Sequence, residues 1–207
     1  MIAKTSVLKY VELQNMTDQW ATTATPQNAP NPATVLSVDH CELDKLLGAL
    51  KAAFENDDVP GIVAPLDVFW ARLAMHIRAE HLHLFPTVLR ALKEHDAAGL
   101  IQAQKTIVEL RSDHDFFMHQ LALAMQTMRE LRRMDGSDAK LKVEEVREAI
   151  AQVEKRLVIH NQTEEKGVYV WARDILNERE QTGLAGLIHI EISNLPPRFS
   201  TRPELRK

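Results

Sequence analysis

Apolar residues recur every three or four positions along four stretches of the chain, which is the spacing of one face of an α-helix. The pattern predicts helices over residues 35–55, 62–93, 100–134 and 139–178. The segments NDDVPG, EHDAAG and DGSD separate them and carry turn-forming residues. Pro86 should kink or loosen the second helix near its end, because proline removes a backbone donor. We therefore expect an all-α protein, an up-down-up-down four-helix bundle with a short extra C-terminal segment.

The two ends of the chain read differently from the middle. Residues 1–34 are predicted to be a flexible or extended lead-in, since TTATPQNAPNPAT at 22–34 has three prolines and no large apolar residue. The bundle is expected over residues 35–178. Residues 179–207 form a predicted appendage with one short apolar stretch, LAGLIHIEI, and a tail from Pro196 without regular structure.

Composition narrows the class of protein. The chain has 207 residues, 45% hydrophobic and 26% charged, which suits one helical domain with a substantial core. A net charge of −4 without a long basic stretch gives no support for nucleic-acid binding, and no apolar run suggests a targeting or membrane segment. The single cysteine excludes an internal disulfide, so we expect a soluble cytoplasmic protein. The sequence does not indicate whether it binds a protein partner or forms a homo-oligomer.

Ionisable residues interrupt the predicted core faces at corresponding places. Each helix has one histidine on its apolar face, and on two helices a glutamate follows one turn later; the set is His40, His76, Glu80, His114, His160 and Glu164. A single such histidine is usually a core residue with an ordinary hydrogen bond, but a buried carboxylate is costly without a cation or donor. A metal cluster would satisfy all six, and imidazole with carboxylate suits iron, manganese or zinc.

The order H, HxxxE, H, HxxxE over four helices, together with the segments HIRAEHLHLFP and HNQTEEKGVY, resembles the HHE cation-binding branch of the hemerythrin-like family. The resemblance covers residues 35–176. It implies two iron ions joined by an oxo or hydroxo bridge, with manganese or zinc as substitutes. It places His40 and His76 on one ion, His114 and His160 on the other, and Glu80 and Glu164 across both.

Two positions depart from the oxygen-carrying hemerythrins. Those proteins have a further histidine one turn after the third-helix ligand and an aspartate in the last motif, where this chain has Met118 and Glu164. The resemblance therefore implies open metal positions and a protein that binds or reacts with oxygen or nitric oxide, or that stores and releases iron in stress response, rather than a simple oxygen carrier. The set of six residues is more similar to that of bacterial proteins implicated in repairing iron centres after nitric oxide or oxidative damage, and to that of iron-sensing relatives.

Several other functions remain as alternatives or are set aside. One alternative is an iron- or oxygen-dependent sensor whose bundle stability reports metal occupancy, and another is a metal-free adaptor bundle. A ferritin-like site needs ExxH on two helices, and only Glu80 to His83 fits that spacing. The sequence shows neither an independent nucleophile motif nor a phosphate-binding loop, which argues against a hydrolase or a kinase.

The remaining histidines receive weaker interpretations. His81 should point away from the core face and be partly exposed, with contact to the carboxylates as a minor alternative. His83 lies near the core face, and lining an access path or binding a displaced metal is the minor alternative for it. His95 and His119 should face solvent, and His189 falls in the unassigned tail.

Four further residues flank the predicted ligands. Asp113, Asp115 and Glu165 are placed to accept from imidazole N–H groups, although solvated surface charge is the preferred interpretation for each. Cys41 is interpreted as a small core or boundary residue.

Overall fold

A computed structural model of the chain describes residues 31–55, 59–131 and 137–199, and this part is helical without strands. The helices are α1 (Pro32–Phe54), α2 (Val59–Ala79), α3 (Phe85–His95), α4 (Ala97–Leu131), α5 (Ser137–Thr163), α6 (Tyr169–Ile175) and α7 (Glu178–Ser193). Two π-helical turns, Glu80–Leu84 and Glu164–Val168, join α2 to α3 and α5 to α6. The all-α prediction is confirmed.

The first helix begins earlier than predicted. Asn31 accepts a hydrogen bond from the backbone N–H of Thr34 at 2.8 Å, and Pro32 follows it in the first turn. This is a favourable helix start, because proline needs no donor there and the cap satisfies a free N–H group. Residues 32–34 therefore belong to α1 and not to the lead-in. The rest of the predicted lead-in, residues 1–30, lies outside the described residues.

The expected disturbance near Pro86 takes the form of a wider helical turn. The backbone N–H of Phe85 donates to Glu80 O, five residues back, and Pro86 then lies in the first turn of α3. The turn after α5 is built the same way, with the N–H of Tyr169 donating to Glu164 O, although it contains no proline. Each π-helical turn begins at the glutamate of an HxxxE motif, and π turns of this kind are frequent at functional sites.

The C-terminal segment is more regular than predicted. Helix α7 begins at a capping box, in which Asn177 and Glu180 satisfy each other's backbone N–H groups. Leu184, Ile188 and Ile192 on α7 pack in a core cluster. The tail was predicted to lack regular structure, but Pro197–Phe199 form a short 3-10 turn. Residues 200–207 lie outside the described part of the chain.

In the part of the chain that the structure describes, the core forms two apolar clusters, and each site histidine lies near the point where its helix passes from one cluster to the other. On α1 the chain runs from Leu36 of one cluster, past His40, to Leu43 of the other, and α2 runs in the opposite sense. The same alternation continues through α4 and α5. Within the described ranges, no helix is both long and apolar enough to cross a bilayer.

Candidate metal centre

The six ionisable residues selected from the sequence converge at one buried place. Their exposed fractions do not exceed 4%: His40 4%, His76 2%, Glu80 0%, His114 2%, His160 2% and Glu164 0%. The apolar spacing on α1, α2, α4 and α5 accounts for this convergence, because each side chain replaces one apolar residue on a core-facing stripe. A buried group of this composition must contain its own compensating charges or bind a cation.

The histidines form two pairs. The Nε2 atoms of His40 and His76 lie 3.2 Å apart, and those of His114 and His160 lie 2.9 Å apart. Each pair combines two helices that are consecutive along the chain, α1 with α2 and α4 with α5. All four rings therefore direct the same nitrogen towards the centre of the cluster.

Each glutamate reaches both histidine pairs. Glu80 Oε1 lies 3.5 Å from His76 Nε2, while its Oε2 lies 3.3 Å from His114 Nε2. Glu164 Oε2 lies 3.3 Å from His40 Nε2, while its Oε1 lies 3.0 Å from His160 Nε2. Each carboxylate thus presents one oxygen to each pair, which is the arrangement of a bridging group.

The outer nitrogens of three rings contact carboxylates. His76 Nδ1 lies 2.8 Å from Asp39 Oδ2, and His160 Nδ1 lies 3.2 Å from Asp113 Oδ2. His40 Nδ1 lies 3.1 Å from Glu165 Oε1. An ionised carboxylate only accepts, so each Nδ1 must donate. When such a ring is neutral, its Nε2 carries a lone pair directed at the cluster, as a metal ligand requires.

The fourth ring has a different partner. His114 Nδ1 lies 2.9 Å from Nε2 of the half-buried His81. Burial and the neighbouring His114 lower the pKa of His81, which favours its neutral form. A neutral His81 can accept from His114 Nδ1, leaving the Nε2 lone pair of His114 directed inward as in the other rings. His81 and Glu165 follow the two site glutamates directly, so they occupy equivalent positions.

An arginine holds each aspartate from the opposite side. Arg72 Nε donates to Asp39 Oδ1 at 2.8 Å, and Arg156 Nε donates to Asp113 Oδ1 at 2.6 Å. The two environments differ, because the Arg72 side chain is 16% exposed and that of Arg156 is 40% exposed. Arg72 also donates through Nη1 to the carbonyl of Ile192 at 3.1 Å, which connects the site to α7.

Tyr169 is a site residue that the sequence analysis missed. Its hydroxyl lies 3.2 Å from His40 Nε2, 3.2 Å from Glu80 Oε1 and 3.4 Å from Glu164 Oε2. In an α-helix, a residue five positions after Glu164 points away from it. The π-helical turn has more residues per turn and returns Tyr169 to the same face. The matching residue after Glu80 is Phe85, which stacks on His114.

The same extra residue explains a difference between the predicted and the observed core face of the helix predicted over residues 139–178. The α-helical spacing places Trp171 on the core face, but the structure buries Tyr169 and Ala172 and leaves Trp171 partly exposed. The contact between Asp39 and a site histidine was also not predicted. The sequence does contain a sign of it, because the dipeptide Asp-His occurs at both Asp39–His40 and Asp113–His114.

The charges of the cluster shift the pKa values of its own histidines and glutamates. Burial lowers the pKa of His160, but the charge of Glu164 and the Asp113 hydrogen bond outweigh it and raise this pKa to about 9. Burial likewise opposes charging of His76, yet Glu80 and Asp39 raise its pKa well above the ordinary value. Burial favours protonation of Glu164, but the charge of His160 holds its pKa well below the usual range. Imidazolium ions thus balance the carboxylates.

The residues present fit a pair of metal ions. Glu80 Oε2 and Glu164 Oε1 are buried and, among the described residues, have no hydrogen-bond partner of good geometry. Ligands about 2.1 Å from a metal lie about 3.0 Å apart at 90° and about 3.4 Å apart at a tetrahedral angle. The nitrogen and oxygen separations of 2.9–3.5 Å described above match this range. Both groups of donors, His40 with His76 and Glu164, and Glu80 with His114, His160 and Glu164, could hold a metal ion.

The other candidate residues divide into confirmed and wrong predictions. His95 and His119 are exposed as predicted. His189, which was left in the unassigned tail, lies exposed on α7. His83 does not face the cluster; its Nε2 lies 3.8 Å from Glu191 on α7. Cys41 is exposed, so its interpretation as a core or boundary residue was wrong.

The three flanking acids, Asp113, Asp115 and Glu165, differ in how well their predicted surroundings agree with the structure. Glu165 and Asp113 each contact an imidazole, which was the less favoured interpretation, although the Glu165 side chain is also 45% exposed. Asp115 is exposed, in accordance with the preferred interpretation as solvated surface charge.

Comparison of the chain with protein-family models, curated proteins and solved structures finds no match in any of the three.

Proposed function

We propose that this chain is a hemerythrin-like, non-haem di-iron protein that binds or reacts with oxygen or nitric oxide, in stress response or in the repair of iron centres. His40 and His76 would hold one ion, and His114 and His160 the other. Manganese and zinc are the alternative metals for this donor set.

The observation that carries the proposal is the span of the two glutamates. Each carboxylate directs one oxygen to each histidine pair, at 3.0–3.5 Å from the nearest Nε2. A single-ion site has no use for this division, whereas two ions bridged by carboxylates require it. The alternating sense in which the helices cross from one apolar cluster to the other supports the up-down-up-down order proposed for the bundle.

The protein's own groups prepare the site for a cation. Asp39, Asp113 and Glu165 fix three rings with Nε2 directed inward, which removes the cost of orienting them on binding. Phe117 packs against His160, and Phe85 stacks on His114, so apolar rings limit the access of water. A bound iron pair would supply redox chemistry and open positions for a diatomic ligand. Burial of the carboxylates strengthens their attraction for the ions.

Metal content tests the proposal. The full chain purified from iron-supplemented cells should contain about two irons per chain by elemental analysis, given two donor groups. Its visible spectrum should change when oxygen or nitric oxide is admitted. A protein that binds no metal would refute the proposal, and one that binds iron without any spectral response would refute the diatomic ligand.

A matched pair of variants on α4 controls for general effects. His114→Ala removes a buried ring of the cluster, whereas His119→Ala removes an exposed ring on the same helix. We expect His114→Ala to lose bound iron and His119→Ala to retain two ions per chain. Equal metal content in the two variants would contradict the assignment of His114.

The contact between the site and α7 favours a second candidate, a metal-dependent sensor. Asp39 joins His76 to Arg72, and Arg72 binds the carbonyl of Ile192 near the end of α7. A change in metal occupancy would then reach α7 directly. Chelation should expose α7 to limited proteolysis if the protein is a sensor. Identical cleavage patterns with and without metal would leave the reactive di-iron centre as the better proposal.

A further inference from the structure

The two halves of the centre are built from equivalent residues but differ in one aromatic ring. Five residues after each site glutamate, at the end of each π-helical turn, stand Phe85 and Tyr169. Phe85 stacks on His114 with ring centroids 6.1 Å apart, and Tyr169 stacks on His40 at 5.8 Å. Only the ring beside His40 carries a hydroxyl, so the two metal positions are chemically unequal.

The hydroxyl of Tyr169 lies where a ligand would lie. Its distances of 3.2 Å to His40 Nε2 and 3.4 Å to Glu164 Oε2 resemble the 3.2 Å between the Nε2 atoms of His40 and His76. Ligands bound at about 2.1 Å and separated by 90–110° lie about 3.0–3.4 Å apart. The hydroxyl therefore completes a set of donors around one point.

The donor sets on the two sides support the same conclusion. On each side, the nearest donors are two histidine nitrogens and one oxygen of each glutamate. Glu80 Oε2 and Glu164 Oε1, which face His114 and His160, have no well-formed hydrogen bond within the described ranges. The opposite oxygens of the same two carboxylates lie within 3.2 and 3.4 Å of the Tyr169 hydroxyl. The phenolic oxygen is thus an additional donor on the side of His40 and His76, and Phe85 offers none at the equivalent place on the other side.

We propose that Tyr169 is a direct ligand, through its phenolic oxygen, of the metal ion held by His40 and His76, and that the other ion has no such ligand. The inference rests on the proposed di-metal function. As the oxygen–metal bond forms, the phenolic O–H bond breaks and the proton leaves to the solvent. No oxidant or reductant is consumed in this step. The resulting centre is asymmetric, with one ion bound to phenolate and one without it.

Iron(III) phenolates absorb visible light by charge transfer from the ring to the metal, and a nearby unbound tyrosine does not. The full chain, loaded with iron and oxidised in air, should show this band, and excitation into it should enhance phenolate ring vibrations in the Raman spectrum. Tyr169→Phe should lose the band completely while keeping two irons per chain. The chain has two tyrosines, so Tyr10→Phe is the matched control and should keep the band unchanged.

A second measurement covers the case in which Tyr169→Phe fails to fold or bind iron. The unaltered protein, produced with ring-deuterated tyrosine, should show isotope shifts in the enhanced vibrations. Two bound irons without a phenolate band or isotope shift would overturn this inference and leave the di-iron proposal standing. A band that survives Tyr169→Phe but disappears in Tyr10→Phe would also overturn it. Failure to bind any metal would instead refute the di-iron proposal from which it follows.

Discussion

Replacing Asp39 by asparagine is the most informative single change to the ligand support. Asp39 Oδ1 accepts from Arg72 Nε and Oδ2 accepts from His76 Nδ1. Asparagine has one accepting oxygen, so its NH2 group must face either the guanidinium or the imidazole. If it faces His76, a protonated ring loses its Nδ1–H hydrogen bond, and a neutral ring can keep one only by carrying its proton on Nε2. The inward lone pair is then lost.

The size of the effect follows from burial. Asp39 is 2% exposed and Arg72 16% exposed, so the pair is largely shielded from water. Removing one partner of a buried pair costs about 3–5 kcal/mol, and we expect about 2–3 kcal/mol because asparagine still accepts one hydrogen bond. The equivalent Asp113→Asn should cost about 1 kcal/mol, because Arg156 on that side is 40% exposed.

Urea unfolding of the metal-free chain at pH 7, followed by helical circular dichroism, measures both free energies. The pKa of Asp39 is lowered, since the His76 hydrogen bond and the charge of Arg72 outweigh burial. Its stabilising contribution is therefore present above the ordinary carboxyl pKa and disappears as the pH falls through the lowered value. The difference between Asp39→Asn and the unaltered chain should shrink in acid. Equal losses in Asp39→Asn and Asp113→Asn at pH 7 would refute this reasoning.

Three further predictions concern the metal-free site, the unusual imidazole partner and α7. The pKa of His160 is raised from 6.5 to about 9, so its contribution to the stability of the metal-free chain is complete below pH 6.5 and is lost as the pH rises through about 9. Urea unfolding over a pH series measures this loss, and a free energy of unfolding that does not change between pH 6.5 and about 9 would contradict it. His81→Glu should place a carboxylate on His114 Nδ1 and tighten zinc binding by about tenfold in a chelator competition, an effect that unchanged affinity would disprove. Ile188→Ala, at 0% exposure, should cost about 2–4 kcal/mol of unfolding free energy. The control Ile190→Ala, at 67% exposure on the same helix, should change it by less than about 0.5 kcal/mol, and equal effects would show that α7 does not pack as described.

Residues near the end of α2 show where prediction from sequence succeeds and where it stops. His76 and Glu80 were placed correctly on the core face, because His76 precedes the π-helical turn and Glu80 is its first residue, so the spacing between them is still α-helical. After Glu80, the three- and four-residue spacings lead to His83 and Leu84 respectively, and the structure buries Leu84. Local hydrogen bonding decides this, because one inserted residue rotates everything that follows.

Spacing within single helices was enough to predict the helical class, the core faces as far as the π-helical turns, and the six ionisable residues on those faces. Which groups meet across helices depends instead on how the helices pack. Asp39 supports His76, Glu165 supports His40, and Tyr169 reaches both glutamates. These contacts depend on the packing of helices against each other and on two π-helical turns, and no periodicity along one segment encodes either. The same physical reason explains why α7, a modest apolar stretch in the sequence, becomes part of the core beside the site.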